Sequence, residues 1–306
     1  MAIDCKISIA AIITCHNRRE KTLRCLQKLY SQDEIKNVIL EVFLVDDGST
    51  DGTTVSIKDK YPQVNILQGD GTLFWNGGMR LAFAEAHKIN FNYYLWLNDD
   101  TFLYKDAVQR LLETEKHLRE KRENPVIITG TIQDIETGEI NFGGRIQKSK
   151  WHPLHFLLLG SSPKPQRCDT FNGNIVLIPQ PIVTTIGNIS VEFSKQHGGD
   201  FDYGLRAKSA GFESWVAPGI VGECASNSIK GSLFDQDLPF GTRLKKMRSP
   251  QGAPPAKEWM IFAKRHAGFL WPYYWFRTMI RVAFPWAYLL FRNPHKDSKT
   301  NSISDK

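Results

Sequence analysis

Between residues 93 and 103 the sequence reads YYLWLNDDTFL, a bulky apolar run that ends in three adjacent polar side chains, Asn98, Asp99 and Asp100. Such a run reads as a buried strand. Carboxylates at its tip set hard negative charge where a divalent cation with oxygen ligands would bind. A second stretch, VFLVDDGSTDGT at 42–53, has the same pattern: Asp46 and Asp47 close a strand, and Gly48, Ser49 and Thr50 turn toward a helix. Two acidic strand tips in one α/β unit point to a site for a nucleotide and its divalent cation.

The elements that must position these tips alternate from the start. ISIAAIIT (7–14) predicts a strand, residues 18–30 a helix with Leu23, Leu26 and Leu29 at helical spacing, and VILEVFLV (38–45) a second strand. A helix after Asp51, a short strand at 64–67, a helix from about Gly78 to Lys88 and the strand 93–97 continue the pattern. This predicts an α/β fold with a mainly parallel, Rossmann-like sheet covered by helices. In open sheets of this kind ligands bind beyond the carboxyl ends of the strands, where both acidic tips fall. A helix at 105–121 and a strand at 126–130 follow. The stretch 132–167, rich in Gly and Pro, predicts a hairpin and a long loop. Regular structure resumes at FNGNIVLIP (171–179), and GDFDYGLRAKSAG (199–211) reads as a short helix ended by Gly211.

The chain has 306 residues, enough for one large domain or two smaller ones, and a formal charge of +7. That balance is compatible with nucleic acid, an anionic membrane surface or phosphorylated small molecules. Its five cysteines form no CxxC pair and no zinc-type ladder, so a reducing cytoplasm is the simpler reading. The N-terminal apolar stretch fits a first strand better than a signal peptide, and no export is expected. From Arg243 onward basic residues cluster among aromatics. Trp259, Trp271, Trp275 and Trp286 are four of the eight tryptophans, interleaved with Lys264, Arg265, Arg277, Arg281 and Arg292. The pattern fits an amphipathic helix pair at a membrane interface and, equally, a helical cap packed on the sheet. Basic residues mixed with large apolar ones speak against nucleic acid.

Four ordered motifs between Lys6 and Cys224 resemble family 2 glycosyltransferases, inverting enzymes with the GT-A fold: AAIITCHNR, VDDGSTDGT, GDGTLFWNGGMRLAFAEA and LNDDT. The resemblance implies that Thr14, His16, Asn17, Arg18, Asp47, Gly48, Asn76, Gly77, Asn98 and Asp99 surround a nucleotide diphosphate sugar. It makes Asp100 the metal ligand for Mg²⁺ or Mn²⁺. In HGGDFDYGLRAKSAG it places Asp200 at the catalytic aspartate, a general base for the acceptor hydroxyl. Asp202 is then a structural or acceptor-binding partner, or the base itself, and Gly173 lies on the acceptor side. The family often has an acidic residue where Gly199 stands. Many relatives carry a histidine where this chain reads VGECASNS, which leaves Glu223 as an oxygen ligand for the metal.

The resemblance therefore implies transfer of a sugar, a deoxysugar such as rhamnose among the candidates, to a glycan or polyprenol-linked acceptor in surface polysaccharide assembly. The chain would work in the cytoplasm, with peripheral contact on the inner face of the membrane. Its domain plan is a glycosyltransferase domain at 1–240, a helical extension at 241–293 and a disordered tail at 294–306. Two alternatives remain. A sugar-phosphate nucleotidyltransferase would want an N-terminal glycine-rich phosphate loop, where this chain has TCHNRRE. A catalytically silent sugar- or nucleotide-binding protein would have no need of Asp47, Asp100 and Asp200 together.

Overall fold

A computed structural model describes residues 6–33, 38–122, 124–225, 239–247, 249, 252 and 254–284. At its centre lies Ile7–Cys15 (β1), whose side chains alternate between two cores because successive strand residues face opposite sides of a sheet. Ile9, Ala11 and Ile13 meet Leu23, Leu26 and Leu29 of helix α1 (Arg19–Tyr30) on one face. Ala10 and Ile12 meet Met79 and Phe83 of helix α3 (Phe74–Ala86) on the other. Burial on both faces accounts for the nearly unbroken apolar runs of the central strands.

Strands β2 (Val38–Asp46) and β4 (Tyr93–Leu97) flank β1 and run parallel to it, and β3 (Asn65–Gln68) lies parallel to β2, beyond helix α2 (Thr53–Lys60). After β5 (Phe102–Leu103) and α4 (Ala107–Arg119) comes β6 (Val126–Asp134). The short β7 (Ile140–Phe142) pairs with β6, and β8 (Gly144–Ser149) with β9 (His152–Leu158) forms a hairpin. Next are β10 (Gln166–Cys168), β11 (Thr170–Phe171), β12 (Ile175–Pro179), α5 (Gln180–Ile186), α6 (Gly199–Ser209) and β13 (Glu213–Cys224). The main sheet has the order β10-β13-β6-β12-β4-β1-β2-β3, while β11, β8 and β9 form a separate small sheet. β12 is antiparallel to both its neighbours, β4 and β6. The stretch 132–167, read from sequence as a hairpin and a long loop, is thus mostly strand.

Helix α3 starts at Phe74, four residues before the position the sequence indicates. Its N-terminal amides are satisfied from a distant element, which a local cap signal cannot report.

The C-terminal part forms α7 (Phe240–Met247), α8 (Ala256–His266) and α9 (Trp271–Ala283). Phe262 of α8 packs with Phe193 and Leu205 of the body. The carboxylate of Asp202 on α6 is wholly buried and bonded by Arg206 (2.8 Å), by Arg265 (2.6 Å) and by His266 (2.8 Å). Helix α9 packs on α8, with Trp259 Nε1 donating to the Tyr274 carbonyl at 3.1 Å. Of the two arrangements open from sequence, α8 adopts the packed cap, whereas α9 keeps an exposed apolar side. Among the described residues no helix is long and apolar enough to cross a membrane. Trp286, Arg292 and the tail 294–306 lie outside the described residues.

Candidate active site at the strand ends

Strand register decides where the polar tips meet. Cys15 stands opposite Asp46 and Asp46 opposite Gln68, so β1, β2 and β3 end at one level and release residues 16–18, 47–50 and 69–73 along the same edge. The tip of β4 delivers Asn98, Asp99 and Asp100 beside them, since Arg18 reaches both aspartates.

The first group of residues knits the edge together. The Asp47 carboxylate accepts backbone N–H bonds from Gly71 (2.9 Å), Leu73 (3.3 Å) and Phe74 (2.9 Å), holding the N-terminus of α3 as an anionic cap. Asp46 accepts from the Ser49 amide at 2.9 Å and from the Thr54 hydroxyl. His16 Nδ1 lies 2.6 Å from the Asp47 carbonyl oxygen, and the Asn17 side-chain oxygen accepts from the Thr50 amide at 2.7 Å. Gly48 has φ of 72°, and a Cβ there would lie 2.9 Å from the Gly71 nitrogen, so the turns after β2 and β3 touch backbone to backbone. Gly78 allows a similar approach: a Cβ would lie 2.1 Å from Thr14 Oγ1. At Gly77 the nearest atom, Leu73 Cβ, would be 3.0 Å away.

The acidic tip is held from three sides. The Arg18 guanidinium donates to Asp99 Oδ1 at 3.1 Å and to Asp100 Oδ2 at 2.9 Å. Asp99 is buried, which pushes its carboxyl up to about 7 despite the Arg18 charge. Asp100 is more open, its side chain 18% exposed. Asn98 receives the Trp75 indole N–H at 2.7 Å, and its backbone amide donates to the Asn174 carbonyl at 3.1 Å. Glu223 is engaged by Arg24 at 3.2 Å. Its neighbour Cys224 is buried, and burial first and then the Asp100 charge push its thiol up to about 12.

Asp200 occupies the first turn of α6, where its side chain accepts the amides of Gly173 (3.0 Å) and Phe201 (2.8 Å). It keeps an edge toward solvent. Packing around it disfavours the charge and raises its carboxyl above the usual value, while these amides and the nearby Arg145 restrain the rise. A Cβ on Gly173 would lie 2.4 Å from the Trp75 ring. Asp200, Gly173, Trp75, Asn98 and the acidic tip therefore form one continuous wall. Gly199 is explained by Asn76, whose buried side-chain oxygen would sit 2.0 Å from a Cβ at 199. Asn76 Nδ2 donates to the His197 carbonyl at 3.1 Å. Of the roles anticipated for Asp202, its burial among Arg206, Arg265 and His266 supplies the structural one.

Sequence reading missed Trp75, Asn174, Arg145 and Thr22. Trp75 and Asn174 stand inside motifs already singled out, but an apolar ring and a strand-start amide carry no chemical signal until the fold sets them against Asn98. Arg145 lies on β8, in the stretch read as a hairpin and a long loop, and its Nε donates to Asn172 Oδ1 at 2.9 Å. Thr22, buried on α1, donates to Asp99 at 3.4 Å.

The donor set suits a hard cation that brings other ligands with it. Among the described residues no group of three His, Cys, Asp or Glu side chains could enclose a metal ion. One accessible carboxylate, Asp100, beside a basic guanidinium fits Mg²⁺ or Mn²⁺ shared with a diphosphate, since such ions bind through one or two carboxylates plus phosphate oxygens and water.

A mainly parallel sheet, acidic strand tips at its carboxyl edge and an aspartate at a helix start across the crevice define a protein of the GT-A class. The model of the family described as glycosyl transferase family 2 matches residues 10–168, and the chain belongs to that family. Two solved structures share the fold. The mannosyltransferase PcManGT from Pyrobaculum calidifontis, in complex with GDP-Man and Mn²⁺, is 13% identical with a TM-score of 0.52 over 92% of this chain and 72% of that one. GalNAc-T7 with UDP, GalNAc and Mn²⁺ is 14% identical with a TM-score of 0.58 over 80% of this chain. This chain spans 46% of the GalNAc-T7 chain. No curated protein matches the sequence.

Proposed function

We propose that this glycosyltransferase is an inverting enzyme that moves one sugar from a nucleotide diphosphate donor to a hydroxyl of a glycan or polyprenol-linked acceptor. The observation that carries this reading is the continuous wall from Asp200 through Gly173, Trp75 and Asn98 to Asp99 and Asp100. It sets a base and an anion-handling tip on one crevice. The acceptor oxygen attacks the anomeric carbon from the face opposite the diphosphate. As that bond forms, the bond from the anomeric carbon to the phosphate oxygen breaks, and its electron pair leaves with the nucleoside diphosphate. The acceptor proton passes to Asp200, whose raised carboxyl makes it a stronger base than an ordinary aspartate.

Thr14, His16, Asn17 and Gly48 build the nucleotide wall, Asn76 and Gly77 back it from their buried places at the start of α3, and Asp47 shapes it by fixing the loop that opens α3. Arg18, Asn98 and Asp99 face the diphosphate side. A divalent cation, when bound, neutralises charge on the leaving diphosphate. Asp100 is the residue to hold it, and Glu223 joins only by leaving Arg24. The Mn²⁺ and nucleotide or nucleotide sugar in both related structures support this reading. For the acceptor, a cavity of about 260 Å³ lined by Phe156, Phe201, Glu258 and Trp259 opens next to the start of α6, and its aromatic walls suit a sugar ring. A lipid-borne acceptor, as in surface polysaccharide assembly at the inner face of a cell membrane, agrees with the basic, aromatic C-terminal part.

The test is nucleoside diphosphate release by the purified chain over a panel of sugar nucleotides, with and without Mg²⁺ or Mn²⁺ and lipid-linked acceptor. Release that needs one donor, the cation and the acceptor supports the reading. Inorganic diphosphate release would indicate nucleotidyl transfer instead, and nucleotide binding without turnover a silent binder.

A further inference from the structure

Helix α9 has two unlike sides. On the inner side Tyr274 is buried, Trp275 Nε1 donates to the Ala256 carbonyl at 3.2 Å, and the Trp271 ring lies 4.7 Å from the Lys264 ammonium. Polar atoms there have protein partners. On the outer side Phe269 is 79% exposed and Phe276 is 61% exposed, with Tyr273, Ile280 and Phe284 also exposed. Tyr273, Phe276 and Ile280 fall on one face of α9, and Phe269 in the short turn before the helix and Phe284 just after it extend the same spacing into a single stripe. Apart from the Tyr273 hydroxyl the stripe offers no polar side-chain atom to water. Scattered exposed apolar residues are ordinary, but a contiguous stripe of this kind marks a surface that is covered in use.

Charge decides what covers it. Residues 239–284 hold nine Lys and Arg against one acidic residue, Glu258. A second copy of the chain would bring the same positive excess against it, and like charges across an interface oppose association. An anionic lipid surface complements both features: head groups meet the basic residues, and the aromatic stripe sinks to the boundary of the acyl chains. We propose that α9 is a monotopic membrane-docking helix that seats Phe269, Tyr273, Phe276, Ile280 and Phe284 in an anionic bilayer surface. Packing relays this seat to the active site. The Trp259 to Tyr274 bond fixes α9 on α8, and Arg265 and His266 fix α8 on Asp202, two residues from Asp200. The docked surface thereby holds the crevice at a set height above the membrane. This inference gives a physical form to the lipid-borne acceptor proposed above, but lipid binding can be measured without turnover.

The experiment is cosedimentation of the full chain with phosphatidylcholine vesicles and with vesicles that also contain phosphatidylglycerol. Binding should favour the anionic vesicles, weaken with added salt, and fall by about tenfold or more in Phe276→Glu/Ile280→Glu, because two buried apolar side chains are lost. A thermal melt of the variant that matches the native chain excludes misfolding, and Phe269→Glu, outside the helix, provides a second variant. Equal vesicle binding by native and variant chains overturns the proposal. So does a dimer in solution that the substitutions dissociate, which would make a second copy the partner. Nucleoside diphosphate release, measured on the same samples without vesicles, reports on the transferase reading and not on this one.

Discussion

Asp200 and Asp100 divide the proposed chemistry between a proton and a charge, and each makes a separable prediction. Asp200→Asn keeps the size and, through its one amide oxygen, one of the two hydrogen bonds accepted from Gly173 and Phe201, but removes the proton acceptor. Turnover should fall by about 10²–10⁴-fold while donor affinity, read by calorimetry, stays close to native. The pH dependence follows from the same group. Catalysis needs the deprotonated carboxylate, and packing raises its pKa above the usual 3.8. The rate should therefore fall on acidification at a higher pH than for an ordinary aspartate, and in Asp200→Asn this limb should vanish from the residual rate. Asp100→Ala should lower turnover and flatten the response to Mg²⁺ or Mn²⁺ together, as a metal titration of the rate will show. An unchanged titration curve would remove Asp100 from the metal site.

The parallel strands and helices were legible because their sequence patterns follow strand and helix periods. The run of Leu23, Leu26 and Leu29 faces the core as spaced, and YYLWL is buried at every position. The start of α3 was not legible, because the group that caps it is Asp47, just beyond the end of β2. Beyond the hairpin expected at 132–167, the small strands up to 171 escaped for a related reason. β7, β8 and β9 are partly exposed and β11, though buried, is two residues long, so neither period nor apolarity marks them. At the site the carboxylates could be read from sequence, whereas Trp75 and Gly173 acquire meaning only by touching. Packing of elements also gives a stability test. Gly78 lets α3 approach Thr14 on β1, so Gly78→Ala should cost about 1–3 kcal/mol by overpacking, measurable by urea unfolding.

Across the whole molecule the buried Asp202 carboxylate on α6 ties the body to the C-terminal helices. Burial opposes its charge, but His266, Arg206 and Arg265 outweigh that and hold its pKa below the usual value. A chain cut before Ala256 would leave Asp202 with Arg206 alone. Removing partners from a buried ion cluster costs roughly 3–5 kcal/mol, so the shortened chain should unfold at markedly lower urea concentration, and refolding yield should drop with it. A boundary near residue 240 thus separates sequence patterns more cleanly than it separates stability. For engineering, the consequence is that a foreign C-terminus cannot simply be spliced onto the body of this chain. A chimera must bring its own cations to Asp202, or the splice will weaken the helix that carries the proposed base.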